Sequence, residues 1–232
     1  MTRFFLGFLA VAALFFVSKP FLQKDKEKRI WLQNSQQEVT TYRPFVILTA
    51  SYNNKNYYKK NLRSVFEQKY PNFRVIYIND ASTDGTGESV FNWIKNAGVE
   101  ERVELVQNTA NQGALANFHH AIQSCKDHEI IVFLDGDDWL AHDEVLLWLN
   151  RAYEDPETWM TYGSYILYPN YRRGWNKKIS EKIHKNRNYR TACSKEFLIC
   201  HLKTAYASLL KRVQKKDLLY KGKFFSMNSD LA

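Results

Sequence analysis

The chain has 232 residues, 45% hydrophobic and 15% aromatic, with a formal net charge of +9. That content is enough to bury a substantial core, which excludes a disordered chain and fits one domain with an appendage. The charge is uneven: residues 1–43 carry 7 basic and 3 acidic groups, residues 44–169 carry 10 and 17, and residues 170–232 carry 16 and 4. An acidic middle facing a basic end suits a charged ligand gripped between them, such as a metal with a phosphate. A basic excess alone is a weak signal for nucleic acid, and no nucleic-acid partner is expected.

Behind Arg3 runs the apolar stretch Phe4 to Val17, closed by Ser18, Lys19 and Pro20. Its fourteen residues would rise about 21 Å as a helix, short of a hydrocarbon core of roughly 30 Å, unless Lys19 snorkels and Phe21 and Leu22 extend it. Residues 1–22 therefore read as a signal peptide or a signal anchor, and the lack of a small-x-small cleavage site favours a single-pass membrane anchor. Lys19, Lys24, Lys26, Lys28 and Arg29 outnumber the charges ahead of the run, which would keep the catalytic part cytoplasmic. Residues 23–43, polar and without an apolar period, read as a linker or stalk, and the globular domain is expected over 44–232.

From Pro44 onward strand and helix patterns alternate. Phe45 to Thr49 is a buried-strand run, and Leu62, Val65 and Phe66 share a face at helical spacing. Phe73 to Ile78 predicts a second strand, and Gly87 to Ala97 a helix stopped by Gly98. Val103 to Val106 predicts a third strand, Gly113 to Cys125 a helix, and Glu129 to Leu134 a fourth strand, followed by a helix over Glu144 to Arg151 capped by Asp143. Four such alternations with short connections argue for an α/β fold with a mainly parallel sheet flanked by helices. His201 to Thr204 is expected to open a helix-like stretch reaching Leu210, with His201 or Lys203 able to face the site. His119 and His120 read as structural.

The polar clusters share one address, because each follows the carboxyl end of a strand, where ligands bind in sheets of this kind. They are Thr49 to Asn53, Asn79 to Thr86, Asn108 to Gly113, and Asp135 to Asp138. Asp135, Asp137 and Asp138 are hard oxygen donors with Gly136 as the turn between them, which suits Mg²⁺ or Mn²⁺ together with a diphosphate. The loop from Asp80 mimics a calcium loop until position 12, where Phe91 stands in place of the required Glu, so that reading fails. Asp80 suits a ribose hydroxyl or a base N–H, while Ser82, Asp84 and Thr86 suit capping of the next helix. There is no GxGxxG or GxxxxGK[ST] signature. Cys125, Cys193 and Cys200 form no CxxC pair, so buried inert thiols are expected, a Cys193–Cys200 bridge being the one alternative.

VILTASYNN, Gln68 to Phe73, VIYINDASTDGT, NQGALAN and FLDGDDW, in this order and spacing, resemble the family 2 glycosyltransferases of the GT-A fold, a Rossmann-like architecture. The resemblance is strong over residues 44 to about 140 and weak beyond. It implies a metal-dependent inverting enzyme that takes a sugar from a nucleotide-diphosphate donor, a UDP-sugar being expected, to a saccharide, lipid or protein acceptor. It also implies that Thr49, Ser51 and Asn53 line the base and ribose pocket and that Asp80 contacts the base. Asn111 and Gly113 would bring backbone to the nucleotide, Asp135 would serve ribose or metal, and Asp137 would be the leading metal ligand, with Asp138 as support. The catalytic base of relatives lies about ninety residues after the metal motif. Asp230, 93 residues after Asp137, is the candidate.

Three departures qualify the likeness. Asn79 stands where many relatives carry Asp, Ser229 replaces the usual Glu before the base, and Ala232 follows the base by two residues, where a strand and helix are usual. These leave a truncated domain, or an inactive nucleotide-sugar-binding or scaffold protein, as the alternative. A QxxRW motif is missing, so processive polymer synthesis is not implied. The basic run from Arg172 to Arg190 suits a lid over the diphosphate, a grip on an acidic acceptor, or a solvated loop.

Overall fold

The computed structural model describes residues 14–15, 39, 41–174, 179–189, 192 and 199–224. Its core alternates β1 (Phe45–Ser51), α1 (Tyr58–Phe66), β2 (Phe73–Asn79), α2 (Thr86–Ala97), β3 (Val103–Gln107), α3 (Ala114–Ser124), β4 (Ile130–Phe133) and α4 (Val145–Ala152). Two further strands follow, β5 (Met160–Thr161) and β6 (Lys203–Tyr206). They form one sheet in the order β3-β2-β1-β4-β6-β5, parallel through β1 to β4, with β6 antiparallel to both β4 and β5.

β1 is an unbroken apolar run because both faces of the sheet are covered. Phe45 and Ile47 enter the layer formed with Leu62, Val65 and Val90, whereas Val46 and Leu48 enter the opposite layer with Ile122 and Ala207. The register pairs Ser51 with Asn79, Asn79 with Gln107, and Leu48 with Phe133. The carboxyl ends of four strands therefore finish nearly level, and their loops make one rim.

Long-range side chains fasten the other end of the sheet. Arg74 on β2 reaches across β1 to Glu129 at the start of β4, with Nε and Nη2 donating to the two carboxylate oxygens at 2.8 and 3.0 Å. Burial would raise the Glu129 pKa, but the Arg74 bond and the Lys126 N–H outweigh it and lower it. Arg74→Met is expected to destabilise the protein by about 3–5 kcal/mol at neutral pH, since it strands a buried carboxylate. The folded-state pKa is the depressed one, so the stabilisation is present above the unfolded value and is lost as pH falls through the folded value. Urea unfolding across that range checks both points.

Several expectations are corrected. The stretch after His201 is a strand followed by a four-residue helix, Ala207–Leu210, because Lys203 to Tyr206 sit between β4 and β5 as the antiparallel strand. Asp143 does not cap α4: its carboxylate pairs with Lys69 Nζ at 2.8 Å. Helix α4 instead receives its partners from elsewhere, His142 Nδ1 accepting from the Glu144 N–H and Gln68 Oε1 from the Leu146 N–H. The single-pass membrane localisation, and the cytoplasmic orientation that depended on it, are withdrawn. Among the described residues no helix is long and apolar enough to cross a membrane, and Leu14–Phe15, inside the apolar run, pair as a strand with Gly163–Ser164. At the predicted linker boundary, Thr41 and Arg43 are already tied in through Asn150, whose amide donates to the Thr41 carbonyl and accepts from the Arg43 N–H. Cys125 is a free, buried thiol, Cys200 is buried as expected, and Cys193 lies outside the described residues.

Candidate functional site at the strand ends

The β1 and β2 loops hold each other. Asn53, in the left-handed region at φ 57°, donates its N–H to Ser82 Oγ and accepts the Thr83 N–H. Asp84 accepts the Lys55 and Thr86 N–H groups, the latter at the start of α2. Of the three residues expected at that cap, Asp84 does the capping, while Ser82 serves Asn53 and Thr86 is the residue capped.

Asp80 organises the third loop. It is 3% exposed, and its carboxylate accepts from the Asn108 amide (2.7 Å), the Gln112 N–H (2.8 Å) and the Gly113 N–H (2.8 Å). Burial pushes its pKa up, but these bonds, with a contribution from Asn117, prevail and lower it. Gly113 has φ 84° and ψ 152°, a conformation essentially reserved for glycine, so only this residue type turns its N–H onto Asp80 there. Asn111 donates to the Asp80 carbonyl.

Thr49 and Ser51 lie beneath the rim, each 1% exposed. They share one face of β1 at period two, and Ser51 Oγ accepts from Asn54. Asn53 and Asn111 are exposed at the rim itself.

Residues 135–138 form a tight turn on this platform. The Gly136 N–H donates to the Ala50 carbonyl, and a Cβ at Gly136 would lie 2.6–2.7 Å from Asn54 Nδ2 and from Ser51 Cβ and Oγ, so the close approach requires glycine. Asn61, buried in the otherwise apolar stripe of α1, donates to the carbonyls of Asp135 (3.0 Å) and Asp138 (2.8 Å) and fixes the turn. That residue was not anticipated; its signal was a lone amide on a helix face of Tyr58, Leu62 and Val65.

The acidic cluster differs from the expected one. Asp135, Asp138 and His201 bring one ligand atom each within 4.8 Å of one another, with His201 Nδ1 3.9 Å from Asp135 Oδ2. His201 arrives from the segment before β6, whose antiparallel pairing beside β4 delivers it to the rim. Asp137, expected to lead, is not in this trio. Its pKa is raised, first by burial and then by the negative charge of Asp135, while His201 pulls it down. Asp230 lies outside the described residues.

The cluster therefore offers two hard carboxylates and a borderline imidazole around one point, a donor set that fits Mn²⁺ or Mg²⁺.

Comparison with known proteins agrees with the architecture. A Bacillus subtilis (strain 168) protein named for teichuronic acid biosynthesis, the glycosyltransferase TuaG, is 31% identical over 108 residues, 46% of this chain and 41% of that one. The Escherichia coli UDP-Glc:alpha-D-GlcNAc-diphosphoundecaprenol beta-1,3-glucosyltransferase WfaP is 27% identical over 121 residues, 52% of this chain and 45% of that one. The chain thus spans less than half the length of these two relatives. Among solved structures, the mannosyltransferase PcManGT of Pyrobaculum calidifontis, in complex with GDP-Man and Mn²⁺, superposes with a TM-score of 0.54 at 20% identity, covering 81% of this chain and 52% of that one. TarS residues 1–349 of S. aureus gives 0.53 at 18% identity, covering 81% and 53%. Both show the GT-A fold. The sequence profile of Glycosyl transferase family 2 matches residues 46–214, about three quarters of the chain, and with the level strand ends this places the protein in that family.

Proposed function

We propose that this glycosyltransferase moves a sugar from a nucleoside-diphosphate sugar, most simply a UDP-sugar, to an acceptor hydroxyl with inversion at the anomeric carbon and with Mn²⁺ or Mg²⁺ bound. The observation that carries the reading is the convergence of Asp135, Asp138 and His201 within 4.8 Å on the rim where the β1, β2 and β3 loops end. A divalent cation held there by Asp135, Asp138 and His201, with Asp137 beside them, would neutralise charge on the leaving diphosphate. The names of the relatives support the donor class, one solved with GDP-Man and Mn²⁺ and another named for UDP-glucose.

The chain's own residues divide the remaining work. Asp80 holds the loop from Asn108 to Gly113 open at the rim, so that Asn111 and the Gly113 backbone can approach a nucleoside. Thr49, Ser51 and Asn53 support the base and ribose from below and beside it. In the transfer step the acceptor oxygen forms its bond to the anomeric carbon on the face opposite the diphosphate. The bond to the diphosphate oxygen breaks, and the acceptor proton passes to the carboxylate of Asp230.

Calorimetric titration with UDP is expected to show binding that requires Mn²⁺ or Mg²⁺; absence of metal-dependent binding for any nucleoside diphosphate would sink the reading. Asp230→Asn is expected to leave that binding intact and to slow transfer by about 10²–10⁴-fold; an unchanged rate would remove Asp230 from the step. The product anomer, read by NMR, should be opposite to that of the donor. Binding of donor with neither transfer nor hydrolysis would favour the inactive nucleotide-sugar-binding alternative.

A further inference from the structure

Beside the metal trio stands a feature the donor reading does not use. Ile166–Leu167 and Arg172–Arg173 pair as a short antiparallel hairpin whose tip is Tyr168, Pro169, Asn170 and Tyr171. The hairpin is anchored at the rim from two sides. At its base the Gly174 N–H donates to the Tyr165 carbonyl (2.7 Å), and the Tyr165 ring lies edge-on to His201 at 6.4 Å. At its tip Tyr168 packs edge-on at 5.2 Å against Trp139, the residue that follows Asp138. Lys60 of α1 places its ammonium over both rings, 4.1 Å from the Tyr168 centroid and 4.8 Å from that of Trp139.

Tyr171 extends this aromatic row, 6.0 Å from Tyr168, and is 74% exposed. Its φ is +54°, a left-handed backbone that a bulky side chain adopts at a cost and glycine does not. A strained position that presents a large ring to solvent calls for a function. The surrounding charge has one sign. Arg172 and Arg173 are exposed on the hairpin and Lys60 lies beside it, and among the described residues none of the three is in an ion pair.

We propose that the hairpin 165–174 is the acceptor arm of the site and takes a saccharide bearing an anionic group. The sugar ring stacks on the exposed face of Tyr171, with Tyr168 edge-on behind it, and the anion faces Arg172, Arg173 and Lys60. The chemistry is that of an aromatic face meeting the C–H face of a pyranose, combined with exposed guanidinium groups that suit phosphate or carboxylate. The proposal rests on the sugar-transfer reading above and adds the acceptor class to it.

The test uses ligand-observed NMR on the full chain saturated with UDP and Mn²⁺, so that the donor side is filled. Glucose 1-phosphate, glucuronate and glucose serve as probes. At least one charged sugar is expected to bind tenfold or more tighter than glucose; preference for the phosphate or for the carboxylate identifies the source of the anion. Tyr171→Gly is expected to weaken the charged sugar fivefold or more, with a melting temperature equal to or above the parent and unchanged UDP affinity. Glycine accepts the backbone there, so lost binding cannot be ascribed to misfolding. Arg172→Ser with Arg173→Ser should abolish the preference for charge. Glucose binding as well as the charged sugars, or Tyr171→Gly binding as well as the parent, overturns the acceptor arm while UDP still binds. Failure of the parent to bind UDP with Mn²⁺ overturns the transfer reading and the arm with it.

Discussion

Asp135→Asn is expected to slow sugar transfer by about 10²–10³-fold while leaving the metal-free protein at least as stable as the parent. Asp135 stands in the trio with Asp138 and His201, and the amide keeps its shape while removing the charge a cation needs. The same charge works against the metal-free fold. Burial raises the Asp137 pKa and the neighbouring Asp135 carboxylate raises it further, so removing Asp135 relieves a repulsion. Opposite changes in activity and stability are the signature of a functional rather than a structural carboxylate. The loss should be partly recovered by raising Mn²⁺, so the check is the dependence of kcat/KM on metal concentration, paired with melting of the chelated protein. Equal losses of rate and stability would assign Asp135 to the fold instead.

Asp80→Asn is expected to act in the other direction, on structure first. The carboxylate accepts three hydrogen bonds within 2.7–2.8 Å from Asn108, Gln112 and Gly113 while 3% exposed. An amide in its place turns an NH₂ group toward donors, leaving at least one buried N–H unmet. With charge-assisted bonds lost as well, about 2–4 kcal/mol of stability should go. Nucleotide binding should weaken with it, because the loop from Asn108 to Gly113 loses its common acceptor. The pH dependence follows from the lowered pKa. Asp80 stabilises the fold fully above its unfolded value, and that contribution is lost as pH falls through the lower folded value. The parent should therefore lose part of its stability in acid that Asp80→Asn no longer has to lose, and urea unfolding of the two proteins across acid pH measures the difference.

The parts legible in the sequence are those set by local pattern. β1 and β2 are buried on both faces, so FVILT and, after Arg74, VIYI read as continuous apolar runs, and the predicted limits fall within a residue or two of the strands. Gly98 closes α2 at φ 65°, as its position implied. The four polar loops were legible because each follows such a run, and parallel pairing then brings them level without further information.

What was not legible depends on partners far apart in the chain. Lys203 to Tyr206 is too short for any period to be read, and becomes a strand only because β4 and β5 offer it edges. His201 is carried to Asp135 by that pairing across 66 positions, so its place among the acidic groups could not be inferred from its neighbours. Asp143 looked like a cap by position, yet Lys69 draws its carboxylate away and Gln68, from the end of α1, takes the orphan N–H of Leu146. Asn61 was hidden by its helix, since a single amide among apolar neighbours reads as an exposed position until the turn at Asp135 to Asp138 is placed over it. The apolar run behind Arg3 misled for the opposite reason: composition alone suggested a span, while its described residues pair with Gly163–Ser164.

Asp135, Asp138 and His201 are proposed to hold a divalent cation that binds a nucleoside diphosphate. Electron paramagnetic resonance of Mn²⁺ during titration with UDP measures it directly, because the free-ion signal disappears as the metal is bound. One tightly held Mn²⁺ per chain is expected in the presence of UDP, with affinity lowered tenfold or more in Asp138→Asn and again in His201→Ala. Undiminished Mn²⁺ binding in a folded protein carrying both substitutions would contradict it.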